Sequence, residues 1–188
     1  MRSISITCEE IVQIYKENRD ALDKTAENVV QLLDERAEKI STGESCTGGL
    51  LSELITAVSG ASAVFEMGVC TYSDRMKQKL LHVPESILIE HTAVSSQTAE
   101  AMVLGLRQES GAELCISITG IAGPSGGTEA QPVGTVYAGV LYRDTLCVTD
   151  LQLYRVCRQE RHAIRHAAAV CAFGIALRIL MEDEECRS

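Results

Sequence analysis

The sequence has no surplus of basic residues: 17 Lys and Arg stand against 26 Asp and Glu, a formal charge of −9. General nucleic-acid binding needs a positive surface that displaces counterions, so this balance argues against a nucleic-acid partner. An anionic small molecule stays open, because a local cluster of Arg works inside an acidic protein. Nor does any apolar run reach the roughly 20 residues that span a bilayer, and no membrane partner is expected. The opening stretch MRSISITCEEIVQIYKENRD lacks the apolar core of about 7 to 15 residues that marks a secretory signal. The expected location is therefore cytoplasmic.

Also missing is any Cys-x-x-Cys pair. Cys8, Cys46, Cys70, Cys115, Cys147, Cys157, Cys171 and Cys186 are scattered, most of them in apolar stretches such as ELCISI and AAAVCAF. Without an export signal they read as reduced core thiols, and their spacing offers no metal site. No Gly-Lys-Ser/Thr follows the glycine-rich loop near residue 120, which excludes a Walker A loop. No helix opens after that loop, so it is not a dinucleotide fingerprint either, and no cofactor is expected.

What the chain does have is enough apolar sequence for a full core. Hydrophobic residues make up 46 % of 188, with no repeat and no linker, so residues 1–188 read as one α/β domain. Residues 11–38 carry helical apolar spacing that breaks near Asn18 to Asp20, which predicts two helices. KIST is a short strand, and GES turns it into a helix starting at Cys46. MGVCTYS alternates as a strand, and DRMKQKLLH is a short helix stopped before Pro84. Ser95 or Ser96 caps a helix that ends at Gly111. AELCISITG is a buried strand, VGTVYAGVLY and TLCVTDLQLY pair as a hairpin across Arg143 and Asp144, and a last helix runs from about Arg158 to Glu182. Strands separated by helices predict a three-layer α/β/α sandwich with a mixed, mostly parallel sheet over residues 39–182 and an N-terminal helical extension over 1–38.

Chemistry concentrates in GESCTGG, residues 43–49. A serine at an abrupt strand-to-helix turn projects beyond the sheet edge, and the amides of Cys46, Thr47 and Gly48 could face a reacting carbonyl. Gly48 and Gly49 would keep Cβ atoms away from a ligand. The same residues also suit a Ser N-cap with close packing. No histidine stands in a stretch that looks like a site. His162 and His166, at i and i+4, read as part of a basic helix face rather than as metal ligands. A Ser–Lys arrangement remains, with Lys77 of TYSDRMK as base and Tyr72 relaying the proton or holding the amine. A strand tyrosine and a surface lysine would give the same local pattern. In TGIAGPSGGTE, the glycines 120, 123, 126 and 127 suggest a backbone that approaches a ligand.

Four stretches in order, GESCTGGLLSELIT, VSGASAVFEMGVCTYSDRMKQKLLHVP, HTAVSSQTAEAM and SITGIAGPSGGTEAQPVGTVY, resemble the C-terminal domain of the competence/damage-inducible protein CinA. Stand-alone versions of that domain form the PncC group of nicotinamide-nucleotide amidases. The resemblance runs from about Glu27 to Leu180. It implies Ser45 as nucleophile, Tyr72 and Lys77 completing the catalytic group, and a three-layer sandwich. It further implies deamidation of nicotinamide mononucleotide to nicotinate mononucleotide and ammonia, without a metal. The expected substrate contacts are then Cys46, Thr47, Gly48, Gly49, Gly120, Gly123, Gly126 and Gly127, with Arg161 or Arg165 on the phosphate. Both arginines keep the family's four-residue spacing, and both also suit a helix surface.

Three positions depart from the family pattern. Asp74 stands for asparagine, Gln131 for lysine, and RQER for the usual Gly-Asp-Arg approach to the last helix. They leave room for a non-catalytic nucleotide-binding relative as the alternative. The apolar N-terminal helices suggest a homo-oligomer, whose interface they would cover.

Overall fold

The computed structural model describes residues 1–185. Two largely buried, mostly apolar runs hold the middle of its sheet, Leu114–Gly120 (β4) and Val136–Tyr142 (β5). In β4, Leu114, Ile116 and Ile118 enter one core while Cys115 enters another. A strand covered on both faces needs that mostly apolar character, and the buried hydroxyls of Ser117 and Thr119 donate to the Ala99 and Ala93 carbonyls. β5 turns back at Arg143 and Asp144 into Thr145–Asp150 (β6), the expected hairpin. On the other side of β4, Ile40–Glu44 (β2) and Phe65–Cys70 (β3) add in parallel. Arg2–Ile4 (β1) pairs in parallel with β6 at the far edge. The order is β1-β6-β5-β4-β2-β3, a mixed sheet with mostly parallel pairings.

Helices cover both faces, which makes the α/β/α sandwich. One core is built from Cys8–Asn18 (α1), Leu22–Glu35 (α2), Leu50–Thr56 (α3) and Arg161–Glu185 (α7). The other takes Asp74–Leu81 (α4), Glu85–His91 (α5) and Ser96–Ser110 (α6). The α1–α2 break falls where the spacing predicted it. There Asn18 donates to the Ile14 carbonyl at 2.8 Å and accepts from the Thr25 hydroxyl at 2.9 Å, tying the two helices together. Ser95 caps α6 through the Thr98 amide, and Gly111 ends it with φ +69°. The α7 helix is long and apolar enough to cross a membrane, yet 72 % of that span is buried inside the fold.

Several expectations change. The N-terminal lead-in is not purely helical, because β1 extends the sheet; three residues give no readable period. The α5 helix contributes no fully buried residue, and its seven residues, with Ile87, Leu88 and Ile89 in one run, are too few to show a helical period. The third helix starts at Leu50 rather than Cys46, and α7 at Arg161 rather than Arg158. Cys46, Cys115, Cys147 and Cys171 are buried and Cys8 and Cys157 partly so, but Cys70 is exposed because it faces outward from an edge strand. All seven are free thiols, and Cys186 lies outside the described residues.

At the sheet edge where β2 begins, the buried Glu38 accepts from the Tyr142 hydroxyl at 2.8 Å and from the Arg143 guanidinium. Burial, with that carboxylate beside it, pushes the Tyr142 phenol up to about 12. The opposite edge is where β2, β3 and β4 end.

Close backbone approach fixes α4, and with it Lys77. A Cβ on Gly105 of α6 would lie 1.8 Å from the Leu81 carbonyl oxygen, at the end of α4. Backbone does not yield as a side chain does. Gly105→Ala should therefore force α4 away from α6 and destabilise the fold by about 1–3 kcal/mol or more. Urea unfolding measures this; an unchanged midpoint would show that the two helices are not tightly apposed.

Candidate active site

Three parallel strands finish at one edge, and the segments that follow them meet there: residues 45–49 after β2, 71–73 after β3 and 121–135 after β4. The β2–β3 connection runs through α3 on one face of the sheet, whereas the β3–β4 connection runs through α4, α5 and α6 on the other. A crevice opens where successive connections leave to opposite faces, beyond the carboxyl ends of the strands. It forms a cavity of about 280 Å3.

Ser45 is held at that edge by its amide, which donates to the Ile118 carbonyl at 3.0 Å. Lys77 reaches it from the first turns of α4. Its Nζ lies 3.3 Å from Ser45 Oγ and donates to the Thr71 carbonyl at 3.0 Å. The lysine is 1 % exposed, which disposes of the surface-lysine reading. Burial disfavours its charged form and lowers its pKa, while the Asp74 carboxylate, 3.9 Å away, pulls in the opposite direction. Desolvation is the larger of the two effects, so the amine is shifted toward the neutral form that can accept a proton.

Tyr72 lines the same cavity but does not hold the amine. Its phenol accepts from Arg161 Nη2 at 2.8 Å and bonds to neither Ser45 nor Lys77. The side chain is 61 % exposed, beyond the strand end where alternation would have turned it inward. The Thr71 carbonyl takes the anchoring role expected of Tyr72. Arg161 also donates to the Gly123 carbonyl at 2.8 Å, so its guanidinium ties the tyrosine to the glycine-rich loop across the cavity mouth.

Of the other expected ligand contacts, Cys46, Gly120, Gly123, Gly126 and Arg161 line the cavity; Thr47, Gly48, Gly49, Gly127 and Arg165 do not. Gly48 and Gly49 instead serve the backbone, with φ of +62° and +99° in the turn before α3. Gly127 packs against its own loop, where a Cβ would meet the Val133 amide nitrogen at 2.7 Å. Arg165 turns to the Thr47 carbonyl, donating through Nε at 3.1 Å and Nη2 at 2.6 Å. Gln131, at the departure from lysine, donates to the Val94 carbonyl at 2.9 Å and so supports a cavity wall. His162 and His166, with ring centroids 6.5 Å apart, lie outside the cavity lining.

Sequence reasoning missed Glu44. It is fully buried, and its two oxygens accept from the amides of Gly49, Leu51 and Ser52 and from the Ser52 hydroxyl, at 2.9 to 3.2 Å. The missing signal was Gly49 itself: an N-cap without a side chain needs its helix amides satisfied from elsewhere. Two further expectations are corrected here. Ser45 is not an N-cap, since α3 begins five residues later. The Gly48 amide is not available to a ligand, because it donates to the Ser45 carbonyl at 3.1 Å. Among the described residues no other residue accepts from the Cys46 or Thr47 amide. Cys46 itself is a poor nucleophile, because burial pushes its thiol up to about 12.

The family model described as the CinA C-terminal domain matches residues 22–180. A putative competence-damage inducible protein of Caldicellulosiruptor bescii is 49 % identical over 133 residues, 71 % of this chain and 32 % of its own length. A CinA-like protein of Anaeromyxobacter dehalogenans is 42 % identical over 166 residues, 87 % of this chain and 38 % of its own length. The chain therefore spans about a third of the length of these curated relatives. Among solved structures, the competence/damage inducible protein CihA from Agrobacterium tumefaciens matches with a TM-score of 0.79 at 34 % identity, covering 84 % of this chain and 95 % of that one. A competence-damaged protein (CinA) superfamily protein from Klebsiella pneumoniae also reaches 0.79, at 29 % identity, covering 86 % of this chain and 98 % of that one.

The Asp74–Lys77 pair should set the pH response of Ser45. A sulfonyl fluoride should label Ser45 faster as pH rises and Lys77 loses its proton. Asp74→Asn removes the charge that favours the protonated amine, so the rise should move to lower pH. Intact-mass kinetics read this directly, and a profile that moves to higher pH or not at all would separate Asp74 from the amine.

Proposed function

The chain belongs to the CinA C-terminal domain family, and from that premise we propose that it is an amidohydrolase deamidating nicotinamide mononucleotide to nicotinate mononucleotide and ammonia. The observation that carries this reading is a buried amine 3.3 Å from a serine hydroxyl at the end of a strand. Lys77, uncharged, takes the Ser45 proton as Oγ attacks the carboxamide carbon. Negative charge develops on the carboxamide oxygen, and the amide of Cys46, on the cavity wall, supplies a donor for it. The proton then passes from Lys77 to the leaving nitrogen, the C–N bond breaks, and ammonia departs. Water, deprotonated by the same amine, attacks the ester and frees the carboxylate product and Ser45.

Arg161 suits the 5′-phosphate. Its guanidinium already bridges two neutral oxygens at the cavity mouth, and a phosphate offers charged ones in matching fork geometry. The seven free thiols fit a reducing compartment, in keeping with a cytoplasmic enzyme.

One observation favours a second reading, a nucleotide-binding domain without turnover. The Asp74 carboxylate beside Lys77 stabilises the protonated amine, which is no base. Ammonia release on mixing with nicotinamide mononucleotide supports the enzyme; thermal stabilisation by the nucleotide without ammonia supports the binder.

Given turnover, Ser45→Ala should lower kcat by about 10^3-fold or more, and activity near that of the parent would remove Ser45 from the role. Arg161→Ala should raise KM roughly 10- to 100-fold with kcat much less affected. The reverse pattern in steady-state kinetics would contradict a ground-state phosphate contact.

A further inference from the structure

The segment that carries Ser45 belongs to neither β2 nor α3, and five residues outside regular structure would ordinarily sample many conformations. Two side chains remove that freedom from opposite ends. Glu44, bonded covalently to Ser45, reaches across the turn to the amides of Gly49, Leu51 and Ser52. It thereby does for α3 what Gly49, lacking a side chain, does not. Its charge also suits the positive end of that helix. From α7, Arg165 closes a two-pronged bond on the Thr47 carbonyl. That fixes the Thr47–Gly48 peptide, whose N–H returns to the Ser45 carbonyl.

The donors of the segment can then be accounted for one by one. The Ser45 amide is bound to Ile118, the Gly48 amide to Ser45 and the Gly49 amide to Glu44. The amides of Cys46 and Thr47 are left, on residues only 5 % and 0 % exposed. Buried amides without a partner residue are uncommon, and that of Cys46, on the cavity wall directly after Ser45, is placed where an acyl transfer uses a donor. The α3 amides do not serve that purpose, since Glu44 already occupies them.

We propose that Glu44 and Arg165 are paired positioning residues, which hold the Ser45 segment so that the Cys46 amide, on the cavity wall, faces the developing oxyanion. This rests on the hydrolase reading above and assigns Arg165 to the protein rather than to the ligand phosphate. Neither residue touches substrate; both act through the backbone between them.

The test compares Glu44→Gln, Arg165→Ala and Arg165→Lys with the parent. Each is assayed for deamidation of nicotinamide mononucleotide and, independently of that substrate, for Ser45 sulfonylation by phenylmethylsulfonyl fluoride. Circular dichroism confirms which variants fold. Folded Glu44→Gln and Arg165→Ala should lose about 100-fold in kcat with KM changed less than about threefold, and sulfonylation should slow in parallel. Arg165→Lys, which keeps the charge but loses the fork, should recover part of the loss. If Glu44→Gln does not fold, the Arg165 pair decides. A parent that releases no ammonia, with variants that still slow sulfonylation, would sink the hydrolase reading and leave the positioning role standing. Variants that label at the parental rate would overturn the proposal, as would an Arg165→Ala defect confined to KM.

Discussion

A lysine amine with almost no access to water, placed against a serine hydroxyl, is the contact on which the rest of this structure depends. Removing a charged ammonium from water costs several kcal/mol unless it is paired or gives up its proton. Lys77 receives a single backbone carbonyl and a carboxylate at 3.9 Å, on a side chain that is itself largely exposed. That is thin compensation for a full charge. Basicity at Ser45 thus follows from burial rather than from any special property of the side chain. It also explains why no histidine is needed in the cavity.

The surrounding fold serves that burial. Parallel β2, β3 and β4 bring three connections to one edge, and the backbone contact of Gly105 with Leu81 sets the depth of α4. Glu44 and Arg165 settle the serine's own segment, while Arg161 and Tyr72 span the mouth. Two arginines one helical turn apart on α7 thereby divide the work: one faces the cavity, the other the backbone behind Ser45.

Much of this was legible in the sequence, and the parts that were not share a cause. β4, the β5–β6 hairpin and α6 announce themselves through mostly apolar runs or a Ser cap with a closing glycine, all local signals. β1 is three residues long and its partner β6 lies at the far end of the chain, so nothing nearby marks it as a strand. Ser45 and Lys77 could be selected from motif and strand–helix layout, but only burial separates a site lysine from a surface one. The anchoring by Thr71 instead of Tyr72 depends on backbone direction after β3, which side-chain identity does not encode. Glu44 could have been found by asking which group satisfies the amides after a glycine N-cap. The choice between Arg161 and Arg165 needed the position of α7 relative to β2, a long-range fact.

The most direct measurement of the central claim is a pH titration of the Lys77 side chain by lysine-selective NMR, assigned with Lys77→Arg. The account predicts that this amine gives up its proton clearly below the value of about 10.4 typical of an exposed lysine. Titration at or above that value would mean that Asp74 and the Thr71 carbonyl outweigh burial, leaving Ser45 without a base.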